Sequence, residues 1–301
     1  MLLAPVVLFV YNRPEHTRAT IDALRKNIEA RSSDLIIYSD AARSQKDEVS
    51  VGVVRKYLRE VDGFKSVKIV ERSENFGLSK SVIQGVTEVV NLYERVIVLE
   101  DDLVTSPHFL NYMNSALDKY APSEEVISIH GYTYRTKLKL PETFFLRGAD
   151  CWGWATWKRG WALLDTDGVR LLHAIRESNE VSRFNLNDSY PYISMLEDQI
   201  AGKNNSWAIL WYASAFVKGK LTLYPGKSLV RNLGNDGSGT HSTATEAYNV
   251  DLSDTPIDVD NPEPDLEDNQ SALEAFSDFF HAYYSKGGIL RRLAKKVLKW
   301  D

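Results

Sequence analysis

Four short apolar runs alternate with helical patterns over the first hundred residues: Pro5 to Tyr11, Leu35 to Tyr38, Val67 to Val70 and Val96 to Leu99. Such alternation demands an α/β fold, because each buried strand must be covered by the helices that connect it to a parallel neighbour. Two of the connecting stripes are readable, Val53, Val54, Tyr57, Leu58 and Val61 in one, and Leu78, Val82, Val86, Val89, Val90 and Tyr93 in the other. Every run ends in polar residues: Asn12-Arg13-Pro14, Ser39-Asp40, Glu71-Arg72 and Glu100-Asp101-Asp102. In open α/β sheets, ligands bind outside the carboxyl ends of the strands, so these residues should converge on one crevice. Beyond them, Ser106 reads as a helix N-cap and Pro107 as a first-turn residue. The apolar face of that helix is Phe109, Tyr112, Met113, Ala116, Leu117 and Tyr120.

The 301 residues, 44% hydrophobic, allow one large domain or two closely packed ones. Met1 to Val10 reads as a buried strand rather than a leader, since it lacks basic residues and a cleavage site. No run approaches the roughly 18 apolar residues of a membrane span. A net charge of −5 without a basic face argues against nucleic acid as a partner. The single cysteine, Cys151, fits a reducing compartment and excludes an internal disulfide framework. After about residue 126 the pattern turns to short strands, Val126 to Ile129, Thr143 to Leu146 and Leu221 to Tyr224, among aromatic loops. Asp251 to Asp268 is acidic and reads as an exposed connection, and Ile289 to Trp300 as a basic amphipathic helix.

Glu100-Asp101-Asp102 is the clearest chemical signature. Hard cations such as Mg²⁺ and Mn²⁺ take oxygen ligands and bridge carboxylates to phosphates, and a departing diphosphate needs that neutralisation. The competing reading is a solvated acidic turn. Taken with Ala4 to Pro14, Leu35 to Asp40 and Val67 to Gly85, the segment Val96 to Phe109 resembles the donor half of GT-A glycosyltransferases. The resemblance is to the N-acetylglucosaminyltransferase I type and to family 2-like bacterial enzymes. It implies an α/β, Rossmann-like GT-A fold with a mostly parallel central sheet, a nucleotide-sugar donor, and Mn²⁺ or Mg²⁺ as cofactor.

By that resemblance Asp102 is the metal ligand, with Glu100 and Asp101 supporting the metal's water shell or the ribose. Val10, Tyr11, Asn12 and Arg13 line the nucleoside pocket, Asp40 meets the base or ribose, and Arg72, Asn75, Gly77 and Leu78 border the donor. In Met195 to Gln199 it points to Asp198 as the base of an inverting enzyme, beside Glu197 on the acceptor side. Gln199 fits the family's Gln-x-x-Arg-Trp, but the Arg-Trp is missing, and Asp188 and Asp165 are rival bases. Trp152 and Trp154, in a tryptophan-rich stretch that resembles the segment shaping the acceptor side in this fold, could stack on acceptor sugar, with core packing as the competing reading for either one. The glycine-rich loop Gly234 to His241 could order over the diphosphate, with His241 touching phosphate or metal.

The expected layout is a donor half over 1–130, an acceptor and catalytic half over 131–250, and the connection and basic helix over 251–301. The reading is inverting transfer from a UDP-linked donor to a glycan or lipid-linked glycan, in the synthesis of surface polysaccharide or glycoconjugate. The enzyme is expected in the cytoplasm, with Ile289 to Trp300 able to touch the inner face of the membrane. The alternatives are a sugar nucleotidyltransferase and a non-catalytic glycan-binding module.

Overall fold

A computed structural model describes residues 3–236, 245–260 and 263–297, with side chains of the last helix described through Tyr284. The four apolar runs become β1 (Val6–Val10), β2 (Asp34–Ser39), β3 (Ser66–Glu71) and β4 (Arg95–Glu100). The last three are one residue longer at each end than their runs, because ladder hydrogen bonds are made by main chain and recruit polar flanks as readily as apolar residues. Helices α1 (Pro14–Leu24), α2 (Gln45–Leu58) and α3 (Gly77–Tyr93) connect them. β1 pairs in parallel with β2 on one side and β4 on the other, and β2 pairs in parallel with β3. The chain therefore steps outward from β1 to β3 and returns across β1 to β4, which makes a topological switch point at the carboxyl ends of β1 and β4.

β1 shows why its run is apolar without alternation. Val6, Leu8 and Val10 enter one core, Val7 and Phe9 the other, and all five are buried. On the second face α3 sits so close that a Cβ on Gly85 would come within 2.9 Å of the Phe9 ring and 3.0 Å of Tyr38. The helix stripes hold in their centres and fail at their ends. Val82, Val86, Val89 and Val90 are buried, but Leu78 and Tyr93 are exposed, and in α2 the buried stripe runs through Val51 rather than Val53.

The chain continues through β5 (Leu103–Thr105), α4 (Phe109–Lys119), β6 (Val126–His130), β7 (Thr143–Arg147) and β8 (Trp154–Trp157). Five helices follow: α5 (Lys158–Trp161), α6 (Gly168–Glu177), α7 (Val181–Phe184), α8 (Tyr192–Ile200) and α9 (Trp207–Val217). β9 (Leu221–Pro225), β10 (Val230–Asn232) and α10 (Gln270–Val297) complete the described strands and α-helices. The main sheet has the order β3-β2-β1-β4-β8-β6-β9-β7, in which β8 and β7 alone oppose the direction of the rest. β8 is the wedge that joins the parallel strands β3, β2, β1 and β4 to β6, β9 and β7. β5 and β10 form a separate antiparallel pair.

Other expectations are adjusted by packing. α4 starts after His108, two residues later than the Ser-Pro signal, although Ser106 Oγ still accepts from His108 N at 3.2 Å and donates to Ser253 O at 2.6 Å. The acidic connection is not wholly exposed. Ile257 and Val259 are buried, and Lys119 Nζ holds Asp260 at 3.3 Å and Glu263 at 3.2 Å. α10 begins well before Ile289, because Ala272, Leu273, Phe276 and Phe280 give it an apolar face against Phe144, Leu146 and Tyr224. Leu298 to Trp300 lie outside the described residues. Among the described residues no helix is long and apolar enough to cross a membrane.

Candidate active site

The switch point brings the loop after β1 against the loop after β4. Arg13, at the N-cap of α1, places its Nη2 2.9 Å from Asp102 Oδ2 and also pairs with Asp101 Oδ1. Thr20 Oγ1 donates to the Asp101 carbonyl at 2.8 Å, and Leu233 N donates to the Asp102 carbonyl at 2.8 Å, so both flanks of the turn are fixed. The approach from the β10 side is close. A Cβ on Gly234 would fall 2.2 Å from Asp102 Oδ2.

Charge is concentrated here beyond what Arg13 neutralises. Burial pushes the Glu100 carboxyl up, and Asp102 and Asp101 push it further against the pull of Arg13. Burial also raises Asp101, whose Oδ2 is buried without a hydrogen-bond partner, while Arg13 pulls it down. Burial disfavours the charge on Arg13, but the two aspartates outweigh it and hold the guanidinium protonated.

The remaining strand-end residues build a second wall. Tyr11 Oη accepts from Arg43 N at 3.0 Å and Asn12 Nδ2 donates to Asp47 Oδ1 at 2.9 Å, tying the β1 loop to the start of α2, while Val10 is buried. Asp40 closes β2 with both carboxylate oxygens in use. Oδ1 accepts from Ala41 N and Phe76 N, each at 2.9 Å, and Oδ2 from Gly77 N at 2.8 Å and Asn75 Nδ2 at 3.1 Å. It thereby caps α3, whose N-cap residue Phe76 has no capping side chain of its own. Gly77 adopts a φ of +70°, which favours glycine at this turn. Arg72 lies between the rings of Tyr38 and Phe76, 5.0 Å and 4.6 Å from their centroids, with Nε and Nη2 buried and unpartnered. Leu78 is exposed.

The second-half candidates divide. Trp152 is partly buried and meets Tyr132 edge-on at 4.7 Å and Tyr248 at 5.6 Å. Trp154 is 1% exposed and packs among Trp161, Trp207 and Trp211 at 5.5 to 5.9 Å, so in this structure its ring has no face free for a sugar. Glu197 pairs with Arg176 at 2.6 Å and Asp198 with Lys203 at 2.9 Å, both on the outer part of α8 with side chains 43% and 47% exposed. The rival acids are also engaged, Asp165 by Arg170 and Asp188 by Ser182. His241 lies outside the described residues. The sequence reading overlooked two features: the approach of Gly234 to Asp102, and His16 Nε2 on α1 at 3.2 Å from Asp236. Both are contacts across more than a hundred residues that no local spacing signals.

Among the described residues no group of three or more His, Cys, Asp and Glu side chains is arranged to hold a metal by itself. The donor chemistry nevertheless fits a Mg²⁺- or Mn²⁺-type ion, which characteristically takes one or two carboxylates and completes its shell with substrate phosphates and water. Asp102 Oδ2 already accommodates one cationic group, the Arg13 guanidinium, at 2.9 Å.

An α/β sheet of this order, with an acidic turn at the β1/β4 switch point, is the GT-A fold of nucleotide-diphospho-sugar transferases. The model of glycosyl transferase family 2 matches residues 6–166, more than half of the chain, and the chain belongs to that family. Among solved structures it is similar to a Staphylococcus aureus TarS fragment (residues 1–349; 11% identity, TM-score 0.41), covering 75% of this chain and 59% of that one. It is likewise similar to a mannosyltransferase from Pyrobaculum calidifontis in complex with GDP-mannose and Mn²⁺ (12%, TM-score 0.39; 70% and 69% covered). The apo mouse xyloside xylosyltransferase 1 is a third (13%, TM-score 0.35; 71% and 80% covered). No curated protein matches the sequence.

Proposed function

We propose that the protein is an inverting, metal-dependent glycosyltransferase that moves a hexosyl or N-acetylhexosaminyl group from a UDP-linked donor to a glycan hydroxyl. The observation that carries this reading is the convergence of Arg13 and Glu100-Asp101-Asp102 at the β1/β4 switch point. In it, residues 1–130 bind donor and 131–250 bind acceptor. Val10 to Arg13, Asp40, Arg72, Asn75, Gly77 and Leu78 border the nucleotide, and Asp40 acts by holding the 75–77 turn in place. Asp102 would hold Mn²⁺ or Mg²⁺, which neutralises charge on the diphosphate when bound.

Asp198 serves as base. It takes the proton of the acceptor hydroxyl as that oxygen bonds to the anomeric carbon, and the bond from that carbon to the diphosphate oxygen breaks on the opposite face. Releasing Asp198 from Lys203 is part of this reading. Glu197 and Trp152 line the acceptor side. The acceptor class is a glycan or lipid-linked glycan used for surface polysaccharide or glycoconjugate, reached from the cytoplasm, with residues 289–300 docking on anionic lipid.

Two measurements test it. UDP with Mn²⁺ should raise the melting temperature of the wild type and fail to do so in Asp102→Ala; absence of stabilisation by UDP or GDP with either metal rejects the donor assignment. Asp198→Asn should keep that stabilisation while transfer falls by at least about a hundredfold. Turnover near wild type in Asp198→Asn removes it as base.

A further inference from the structure

Trp152, Tyr248, Tyr283, Tyr284 and Tyr190 form an unbroken row of rings, with successive centroids 5.6, 5.5, 5.2 and 6.1 Å apart. Their successive planes meet at 87°, 48°, 67° and 54°, so no ring is stacked face to face on the next. None of the five is sealed in the core. Tyr284 is 44% exposed and the other four are partly exposed. Isolated exposed rings are ordinary on a protein surface, but contiguous ones mark a place where something binds. The row rests on a firm base, since Phe280 supports Tyr190 at 4.6 Å and Phe279 lies 6.1 Å from Tyr248. Tyr132 Oη donates to the Tyr248 carbonyl at 3.0 Å and fixes the backbone that carries that ring.

One end of the row lies at the acidic turn. Val98 of β4 pairs with Trp154 of β8, two residues after Trp152. A Cβ on Gly153 would come within 3.4 Å of the Leu99 side chain, so Trp152 leaves backbone that lies against the residue before Glu100. From there the row passes to α10. Four of its five members lie beyond residue 166, where the family match ends, so the row belongs to this chain's own second half.

We propose that this row is a carbohydrate-binding track on which an oligosaccharide acceptor lies, several sugar units long, with its growing end beside Glu100-Asp101-Asp102. Each ring offers an apolar face to the C–H side of a sugar, and each also carries a phenol hydroxyl or an indole N–H for the sugar's own hydroxyls. That pairing of face and polar tip suits a polyhydroxylated chain better than a ligand that is apolar throughout. The inference rests on the glycosyl-transfer reading for taking the occupant to be the acceptor, and it adds Tyr190, Tyr248, Tyr283 and Tyr284 to the acceptor side.

The test uses the full chain labelled with 3-fluorotyrosine, its ¹⁹F signals assigned through single Tyr→Phe variants. The probes are cellotetraose, maltotetraose, mannotetraose and chitotetraose, with farnesyl phosphate as the lipid arm. At least one tetrasaccharide should move the Tyr248, Tyr283 and Tyr284 signals together in the wild type. Tyr283→Ala and Tyr284→Ala should each weaken that sugar about threefold or more, whereas Tyr283→Phe, which keeps the ring, should stay within about twofold. If no tetrasaccharide moves these signals, or if both alanine variants bind as the wild type does, the proposal fails. A response to farnesyl phosphate alone would assign the row to lipid and overturn it as well. The wild-type shifts require no variant to fold. Thermal stabilisation by UDP with Mn²⁺ reports the donor reading separately, so either result can fail while the other stands.

Discussion

Glu100 sits where burial and two neighbouring aspartates oppose its charge, with Arg13 as partial relief. Its folded-state pKa is raised above its ordinary 4.5, so the folded chain binds this proton more tightly than the unfolded chain. Stability from this group is therefore full below the ordinary value and is lost as pH rises from there through the raised one. For the protein without nucleotide or metal, urea unfolding from about pH 5 to about pH 9 should show declining stability, and Glu100→Gln should flatten the decline. A profile identical in the variant would mean that Arg13 compensates Glu100 fully. The type and place of these acids are legible in the sequence because they follow an apolar strand. Their pairing with Arg13 is not, since it joins residues eighty-eight positions apart.

At the scale of elements, β8 shows how a residue type can be read correctly and its task misplaced. The tryptophan-rich stretch stands out in the sequence, and the aromatic chemistry of sugar binding fits it. Trp152 and Trp154 nevertheless enter different company, because Trp152 precedes the strand and Gly153 between them turns the backbone at a φ of +68°. Trp152 joins Tyr132 and Tyr248, whereas Trp154 enters the core beneath α3, α5 and α9. Trp154→Ala should cost about 3–5 kcal/mol in denaturant unfolding, as large-to-small changes of buried aromatics do. A loss of sugar affinity without a loss of stability would contradict its place in the core. The helix stripes were legible for the same reason that they end early: periodicity marks the centre of a buried face, while the terminal turns of α3 rise clear of the sheet and expose Leu78 and Tyr93.

For the whole molecule, the decisive event is the return of the chain from β9 through β10 to the acidic turn. β10 pairs with β5, and Gly234 is pressed against Asp102 with no room for a side chain. Gly234→Ala should displace Asp102 and abolish most of the thermal stabilisation given by UDP with Mn²⁺, while the ligand-free protein remains folded. Unchanged stabilisation would show that Asp102 keeps its place by other contacts.

The sequence by itself determined the α/β class, the four leading strands and the acidic turn at the end of the fourth, because strand burial, helix period and strand-end polarity are local properties. Tertiary structure alone decided which acids share a crevice, that Asp40 braces the 75–77 turn, that His130 and Asp150 face one another, and that residues from beyond position 230 close on Asp102. Those are long-range juxtapositions, fixed by strand order and sheet packing rather than by any spacing along the chain.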